Sequence, residues 1–207
     1  MPRPETPPAD RRRAAAVAGH TGDIDTARSL SDDDDASVRA TALAALGRAG
    51  ALDTATLLRG LTDSDGGVRR RSATLAATAS DRVDVAPALL AVLGDADDLA
   101  AEAAAWALGE WGQDNPSLTE AIAALVTMTT SHDEPLCREA AAAALGAIGD
   151  ERGLDAILHA CSDKPAVRRR AVLALSPFEG PRVDAAVDRA LQDRDWQVRQ
   201  AAEDLRR

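Results

Sequence analysis

Aromatic residues are almost missing from this sequence, which has one Phe, no Tyr and three Trp among its 207 residues. Sheet proteins depend on aromatic and β-branched side chains, so this shortage excludes a β-sandwich or a β-barrel. No run of 18 apolar residues occurs, so no membrane-spanning helix is expected. The apolar content of 45% is mostly Ala, Leu and Val. This composition predicts an all-α protein whose helices pack closely through small side chains.

Lysine is also scarce, since Lys164 stands beside 23 Arg, while 25 Asp and 9 Glu give a formal net charge of -10. Such a surface repels phosphate, which argues against duplex nucleic acid as a partner. The Asp-rich, Lys-poor composition resembles that of cytoplasmic proteins from salt-loving archaea. At about 1 M salt the screening length is only about 3 Å, which makes carboxylate repulsion tolerable.

Two cysteines, Cys137 and Cys161, and an amino terminus without an apolar signal region predict a cytoplasmic protein with reduced thiols. We expect residues 1–8 to form a disordered tail and residues 9–207 to form a single domain. The chain is expected to be a monomer that does not bind membranes.

The sequence repeats itself, and the repeats align on a Val that precedes Arg. Segments such as LTDSDGGVRRRSATLAAT and CSDKPAVRRRAVLALS share this plan. We call the aligned residue the anchor of its repeat. The anchors are Asp10, Val38, Val68, Ala100, Cys137, Val167 and Val198, and they lie 28 to 37 residues apart. This interval suits a pair of helices joined by short turns.

The apolar spacing within each repeat is helical. Each anchor begins a second helix, and first helices are predicted at 24–30, 52–61, 83–93, 154–161 and 183–191. The Asp-rich turn between the two helices should cap the second one. Glycines such as Gly109 and Gly146 are expected to mark helix ends.

The motif D-x-x-x-x-V-R-x-x-A-x-x-A-L-G at residues 33–47 resembles the HEAT repeat, in the short form named for phycobilisome lyase-like proteins. The resemblance covers residues 9–207 with six to seven repeats. It implies a right-handed α-solenoid of stacked antiparallel helix pairs, with the second helices lining the concave side. The sequence departs from this pattern at residues 97–112, where Ala100 and Ala101 replace the Val-Arg pair.

An Asp and an Arg recur at a fixed phase in the regular repeats. In HEAT-like arrays such residues form a ladder between neighbouring turns, so we predict a structural role for them. The predicted pairs are Asp33 with Arg39, Asp63 with Arg69, Asp163 with Arg168 and Asp193 with Arg199. Arginine triplets at 11–13, 69–71 and 168–170 share this phase. They either pair at the surface or face the groove, where they would select an acidic segment.

The irregular repeat holds two of the three tryptophans, Trp106 and Trp111. A break in the repeat rule often marks a contact site. Trp106 is either a core residue or part of that site, and Trp111 is interpreted as an anchor for the partner at the rim. The predicted partner-binding residues are Arg70, Glu102, Trp106, Glu110, Trp111, Arg138, Arg169 and Arg170.

No catalytic, metal or cofactor site is predicted, because the three histidines are isolated in sequence and no Cys-x-x-Cys or His-x-x-x-His spacing occurs. HEAT-type iron hydroxylases need His-Glu dipeptides, whereas this chain has only His132-Asp133. We therefore expect a noncatalytic scaffold or adaptor that binds another protein through its concave groove. The alternative is a phycobilin-lyase-like or chaperone-like accessory protein that handles a cofactor or its carrier subunit.

Overall fold

The computed structural model describes residues 6–207, and the first five residues of the predicted disordered tail lie outside the described residues. Within the described range the secondary structure is helical, without strands. The helices are α1 (Pro8–Thr21), α2 (Ile24–Leu30), α3 (Ala36–Arg48), α4 (Thr54–Leu61), α5 (Gly66–Ala76), α6 (Arg82–Val92), α7 (Asp98–Trp111), α8 (Leu118–Ser131), α9 (Pro135–Ile148), α10 (Leu154–Ala160), α11 (Pro165–Ala174), α12 (Pro181–Ala190) and α13 (Trp196–Leu205), with 3₁₀ turns at Gly112–Asp114 and Glu151–Gly153. The prediction of an all-α fold is confirmed.

The helices form two layers. The odd-numbered helices, α1 to α13, are the second helices of the repeats, and each packs directly on the next odd-numbered helix. The even-numbered helices are the first helices, and among them α4 contacts α6 and α8 contacts α10. The predicted first helices agree with the observed ones to within two residues at each end. The chain is therefore an α-solenoid of stacked helix pairs, as the repeat predicted.

The core of each layer is formed by the anchors and their small neighbours. Six of the seven anchors are buried: Val38, Val68, Ala100, Cys137, Val167 and Val198. Asp10, at the start of the array, is exposed. Because large side chains are few, the helices pack closely, and this close packing supplies the dispersion contacts that large side chains supply in other proteins.

Asp side chains of the turns cap four of the second helices, as predicted, whereas α1, α9 and α11 begin with a proline and have no side-chain cap. Asp35 accepts hydrogen bonds from the amides of Ser37 and Val38 at the start of α3. Asp65, Asp97 and Asp195 cap α5, α7 and α13 in the same manner. Each cap satisfies amides that the first turn of a helix leaves without a partner.

A ladder of Arg–Asp pairs joins successive repeats. Arg39 donates from Nε and Nη2 to the Asp63 carboxylate at 2.8 and 2.7 Å, and from Nη1 to the Asp33 carbonyl at 2.9 Å. The other rungs are Arg11–Asp33, Arg69–Asp95, Arg138–Asp163 and Arg168–Asp193.

The prediction that each Arg pairs with the Asp of its own repeat is wrong for the side chains. The carboxylate that Arg39 binds belongs to the following repeat, and its own repeat supplies only a backbone carbonyl. Arg199 shows the same rule at the end of the array. Among the described residues it bonds to the carbonyls of Asp193 and Arg194 and to no carboxylate.

The ladder carboxylates are held in their charged form. The hydrogen bonds from Arg69 lower the pKa of Asp95 below its ordinary value of 3.8, although burial acts in the opposite direction. The pKa of Asp33 is lowered by Arg11, and that of Asp193 by Arg168. A carboxyl group with a lowered pKa in the folded state stabilises that state above pH 3.8, and the contribution is lost as the pH falls below this value.

The replacement Arg69→Ala should lower the free energy of unfolding by about 1–3 kcal/mol at neutral pH, because the Asp95 side chain, only 7% exposed, would lose its partner. The control is Arg182→Ala, whose pair with Asp155 is exposed and should contribute little. Urea unfolding at pH 7 and at pH 3 measures both. The loss at Arg69 should be smaller at pH 3, because Asp95 in the unfolded chain is then largely protonated and the pair contributes less to folding; a loss that is equal at both pH values contradicts this role.

Glycines within the second helices allow neighbouring helices to touch. A Cβ on Gly146 of α9 would lie 2.7 Å from the Ala174 Cα of α11, and one on Gly109 of α7 would lie 3.0 Å from the Ala144 Cα of α9. The prediction that these two glycines mark helix ends is wrong, because both lie inside helices. Their role is to remove bulk where two backbones meet.

The replacement Gly146→Ala should lower the free energy of unfolding by about 1–3 kcal/mol, because α9 and α11 must move apart to admit the new methyl group. Gly94→Ala is the matched control, since a Cβ there meets only the Ala91 carbonyl oxygen at 3.8 Å. Chemical denaturation of the two variants decides the matter. Equal stability of both would mean that this contact does not limit helix approach.

Candidate protein-binding site

A cavity of about 420 Å³ opens on the exposed face of three successive second helices, α7, α9 and α11. Small residues make its floor: Gly109, Ala140, Ala143, Ala144 and Ala147. The residues at its edge are Glu102, Trp106, Glu110, Leu136, Glu139 and Arg170. We call this surface the Trp106 groove. Beneath it, α7 and α9 approach each other closely at Gly109 and Ala144.

The structure brings together three of the predicted partner-binding residues on one stripe of α7. Glu102, Trp106 and Glu110 are spaced four residues apart, so they lie on the same face of the helix. The Trp106 side chain is 47% exposed and lines the groove. A large aromatic side chain left open above a floor of alanines offers a partner apolar area that is not used in folding.

The position of Trp106 in its repeat explains its exposure. It lies six residues after its anchor, and the corresponding residues of the other repeats include Ala44, Thr74, Ala143 and Leu173, none of which is fully buried. The same comparison identifies Glu139, which the predicted site omitted. Glu139 and Glu102 both lie two residues after their anchors, so they share one phase.

Carboxylates dominate the charge of the Trp106 groove. Glu139 faces two guanidinium groups, with Arg170 Nε at 3.4 Å and Arg169 Nη2 at 3.6 Å from its Oε1. Glu102 and Glu110 form no ion pair within the part of the chain that the structure describes. The predicted arginines Arg169 and Arg170 are therefore engaged with Glu139, and two carboxylates remain for a partner.

Trp111 is not at the rim of the groove, and this part of the prediction is wrong. Its side chain is 2% exposed, and its Nε1 donates a hydrogen bond to the Ala76 carbonyl at 2.9 Å. The guanidinium carbon of Arg82 lies 5.6 Å from the centre of the indole ring. Trp111 thus satisfies a carbonyl at the end of α5 and packs in the core. Trp111 is the last residue of α7, and its side chain lies against the end of α5 and the start of α6.

Two predicted arginines also lie outside the Trp106 groove. Arg138 was expected to flank the partner site, but it is a ladder residue whose Nε and Nη2 lie 2.6 and 2.8 Å from the Asp163 carboxylate. The residue after an anchor points along the ladder, and Arg138 follows the anchor Cys137. Arg70 is exposed on α5 and does not line the cavity.

Comparison with known proteins identifies the fold. The family model described as HEAT repeats matches residues 3–78 and 86–175. The crystal structure of YibA from Escherichia coli matches with a TM-score of 0.66 and 17% identity over 98% of this chain and 75% of that chain. A designed armadillo repeat protein in complex with the peptide (KR)4 matches with a TM-score of 0.58 and 16% identity over 95% and 96% of the two chains.

A third match, to a chain of a Kap95:Nup1 complex, has a TM-score of 0.62 and 17% identity, and covers 90% of this chain but only 30% of that one. The curated protein sequences gave no match. Across the described residues, no helix has the length and hydrophobicity needed to cross a bilayer.

The two tryptophans of α7 should respond differently to truncation. Trp111→Ala should lower the free energy of unfolding by about 3–5 kcal/mol, because it leaves a cavity and an unpaired carbonyl. Trp106→Ala should change it by about 0.5 kcal/mol or less, since nearly half of the side chain is already in water. Urea unfolding of both variants tests this assignment, and a greater loss at Trp106 would reverse it.

Proposed function

Because the chain belongs to the HEAT repeat family, we propose that it is a noncatalytic scaffold that binds a segment of another protein in the Trp106 groove, on the concave side of the solenoid. The observation that carries this proposal is the exposed indole of Trp106 above a floor of small residues. Tryptophan is the residue most often found to dominate binding energy at protein interfaces. Its exposure gives nothing to folding, so it is available for binding.

The charges of the groove favour a basic segment. A Lys or Arg side chain laid across Trp106 gains a cation–π contact, and Glu102 and Glu110 lie one helical turn away on either side. The net charge of -10 extends this preference beyond contact distance, because it attracts cationic segments from solution. This occupant replaces the acidic segment that the arginine triplets suggested.

The arginine triplets give less support to an acidic partner than their sequence implied. The first member of each triplet, Arg11, Arg69 or Arg168, forms a ladder rung. In the third triplet the other two arginines, Arg169 and Arg170, face Glu139. A partner carboxylate would have to displace Glu139 before it met these guanidinium groups, whereas a partner amine meets Glu102 and Glu110 directly.

The solenoid also lowers the entropic cost of binding. The groove is built from second helices that pack directly on one another, and the Arg138–Asp163 rung joins α9 to α11, so its residues are in place before a partner arrives. A partner segment that is extended in solution then supplies the only chain that must be ordered. Such a surface suits recognition of a short peptide.

The experiment measures binding of fluorescein-labelled basic and acidic octapeptides by anisotropy. The (KR)4 peptide is a suitable basic probe because a designed repeat protein of similar fold was crystallised with it. We expect (KR)4 to bind and an (ED)4 peptide not to bind. Trp106→Ala should weaken (KR)4 binding by about 5- to 30-fold, in line with loss of a central aromatic contact.

Controls separate the groove from the general acidity of the surface. Trp196→Ala removes a tryptophan that is 65% exposed but lies outside the groove, and it should bind (KR)4 as the unmodified protein does. Glu102→Gln with Glu110→Gln should weaken binding, whereas Glu120→Gln on α8 should not. Tighter binding of (ED)4, or full binding by Trp106→Ala, would refute the proposal.

A further inference from the structure

The Arg–Asp ladder has one missing rung, between α7 and α9. Each rung joins the residue after one anchor to an Asp in the turn before the next anchor. At this junction Ala101 takes the place of the Arg, and His132 lies where the Asp is found five residues before the anchor in most repeats. The fourth and fifth second helices thus lack the ion pair that joins the others.

His132 occupies the position of the missing Asp in geometry as well as in sequence. In a regular turn the Asp33 carboxylate accepts the amide of Asp35 at 2.9 Å, two residues further on. In the irregular turn the His132 Nδ1 accepts the amide of Glu134 at 3.1 Å, also two residues further on. The imidazole therefore stands where a rung carboxylate would stand, without an Arg to meet it.

Two other metal-ligating side chains lie beside this imidazole. One donor atom from each of Asp98, His132 and Cys137 falls within 4.8 Å of the other two. Asp98 begins α7, His132 follows α8, and Cys137 is the buried anchor of α9. Three segments from two successive repeats therefore converge at the missing rung.

We propose that Asp98, His132 and Cys137 bind a Zn²⁺ ion that replaces the missing Arg–Asp rung. A thiolate, an imidazole and a carboxylate form a set of ligands that zinc accepts, whereas Ca²⁺ and Mg²⁺ prefer oxygen alone. The ion would join the start of α7 to the turn before α9, as a guanidinium does at the other junctions. Three protein ligands leave a fourth tetrahedral position for water.

The surroundings favour a cation at this point. Burial, together with the nearby charges of Asp98, Glu134 and Glu102, raises the pKa of the Cys137 thiol to about 11. The same carboxylates attract a divalent ion, and coordination to the metal then stabilises the thiolate. Without a metal, the thiol donates to the Asp98 carbonyl at 3.4 Å.

Closing the site requires small movements. Tetrahedral zinc with bonds of about 2.0–2.3 Å holds its ligand atoms roughly 3.3–3.6 Å apart. In the structure the three donor atoms lie within 4.8 Å of one another. They must therefore approach one another by about 1.5 Å or less to bind the ion. The neutral imidazole has one lone pair, which the Glu134 amide now uses. Zinc binding therefore exchanges that hydrogen bond for a metal bond.

The test uses the full chain, treated with EDTA and then dialysed. Isothermal titration with ZnCl₂ should show one ion per chain, and zinc should raise the unfolding temperature. Cobalt(II) should give the thiolate-to-metal charge-transfer absorption that reports a Cys ligand. Mg²⁺ and Ca²⁺ should have neither effect. Absence of saturable zinc binding, or a cobalt complex without the thiolate band, would overturn the proposal.

Cys137→Val is the decisive variant, because Val is the anchor in four other repeats and should preserve the fold. It should weaken zinc binding by about 100-fold or more. Asp98→Asn and His132→Ala should each weaken zinc binding to a lesser degree. The matched control is Cys161→Val, which removes the other cysteine and should bind zinc normally. Equal zinc binding by Cys137→Val and Cys161→Val would place the ion elsewhere on the acidic surface and refute the site.

Discussion

A single guanidinium group that holds two repeats at once is the interaction on which this structure depends. Arg39 binds the carbonyl of its own turn and the carboxylate of the next turn. That carboxylate, Asp63, also accepts the amide of Asp65, which in turn caps α5. The pair between repeats therefore fixes the turn, the turn positions the cap, and the cap starts the next second helix. Alanine is the commonest residue of the core, followed by leucine and valine. Because so many small side chains leave little shape to define how the layers stack, the ladder sets the register of the array.

The sequence predicts the features of this fold that recur in every repeat. It does not predict which of several equivalent Asp residues a given Arg contacts. Periodicity places the helices and identifies the ladder residues, because every repeat reports the same pattern. It does not say whether Arg39 meets Asp33 or Asp63, since both lie at the same phase. The error at Trp111 has another cause: Ile148 and Phe178 lie eleven residues after their anchors, as Trp111 does, and both are buried, but a tryptophan in the irregular repeat was interpreted as a contact residue. Trp106 shares its phase with Thr74, and a polar residue at that phase is typical of a position that is not fully buried. The Asp98, His132 and Cys137 cluster had no sequence signal, because its ligands come from three segments.

Irregularity is concentrated in one part of the array. The repeat that replaces the Val-Arg pair with Ala100 and Ala101 also carries Trp106 on its exposed stripe, and its junction with α9 holds His132 and Cys137. In a solenoid each repeat contacts only its neighbours, so a change in one repeat costs one interface rather than the whole fold. The flanking rungs, Arg69–Asp95 and Arg138–Asp163, are intact on either side. The array thus keeps its register while one junction is free to take on a different chemistry.

Ionic strength would separate two contributions to the proposed binding of a basic segment. The net charge of -10 acts over a Debye length, about 10 Å at 0.1 M salt and about 3 Å at 1 M, so attraction of a basic segment from a distance fades as salt is added. The contact with the Trp106 indole acts at van der Waals distance and loses far less. In concentrated salt, recognition of a basic segment in the groove would therefore depend on Trp106 and on the adjacent Glu102 and Glu110. If the proposed function holds, Trp106 is then the residue on which specific binding of a basic segment would depend.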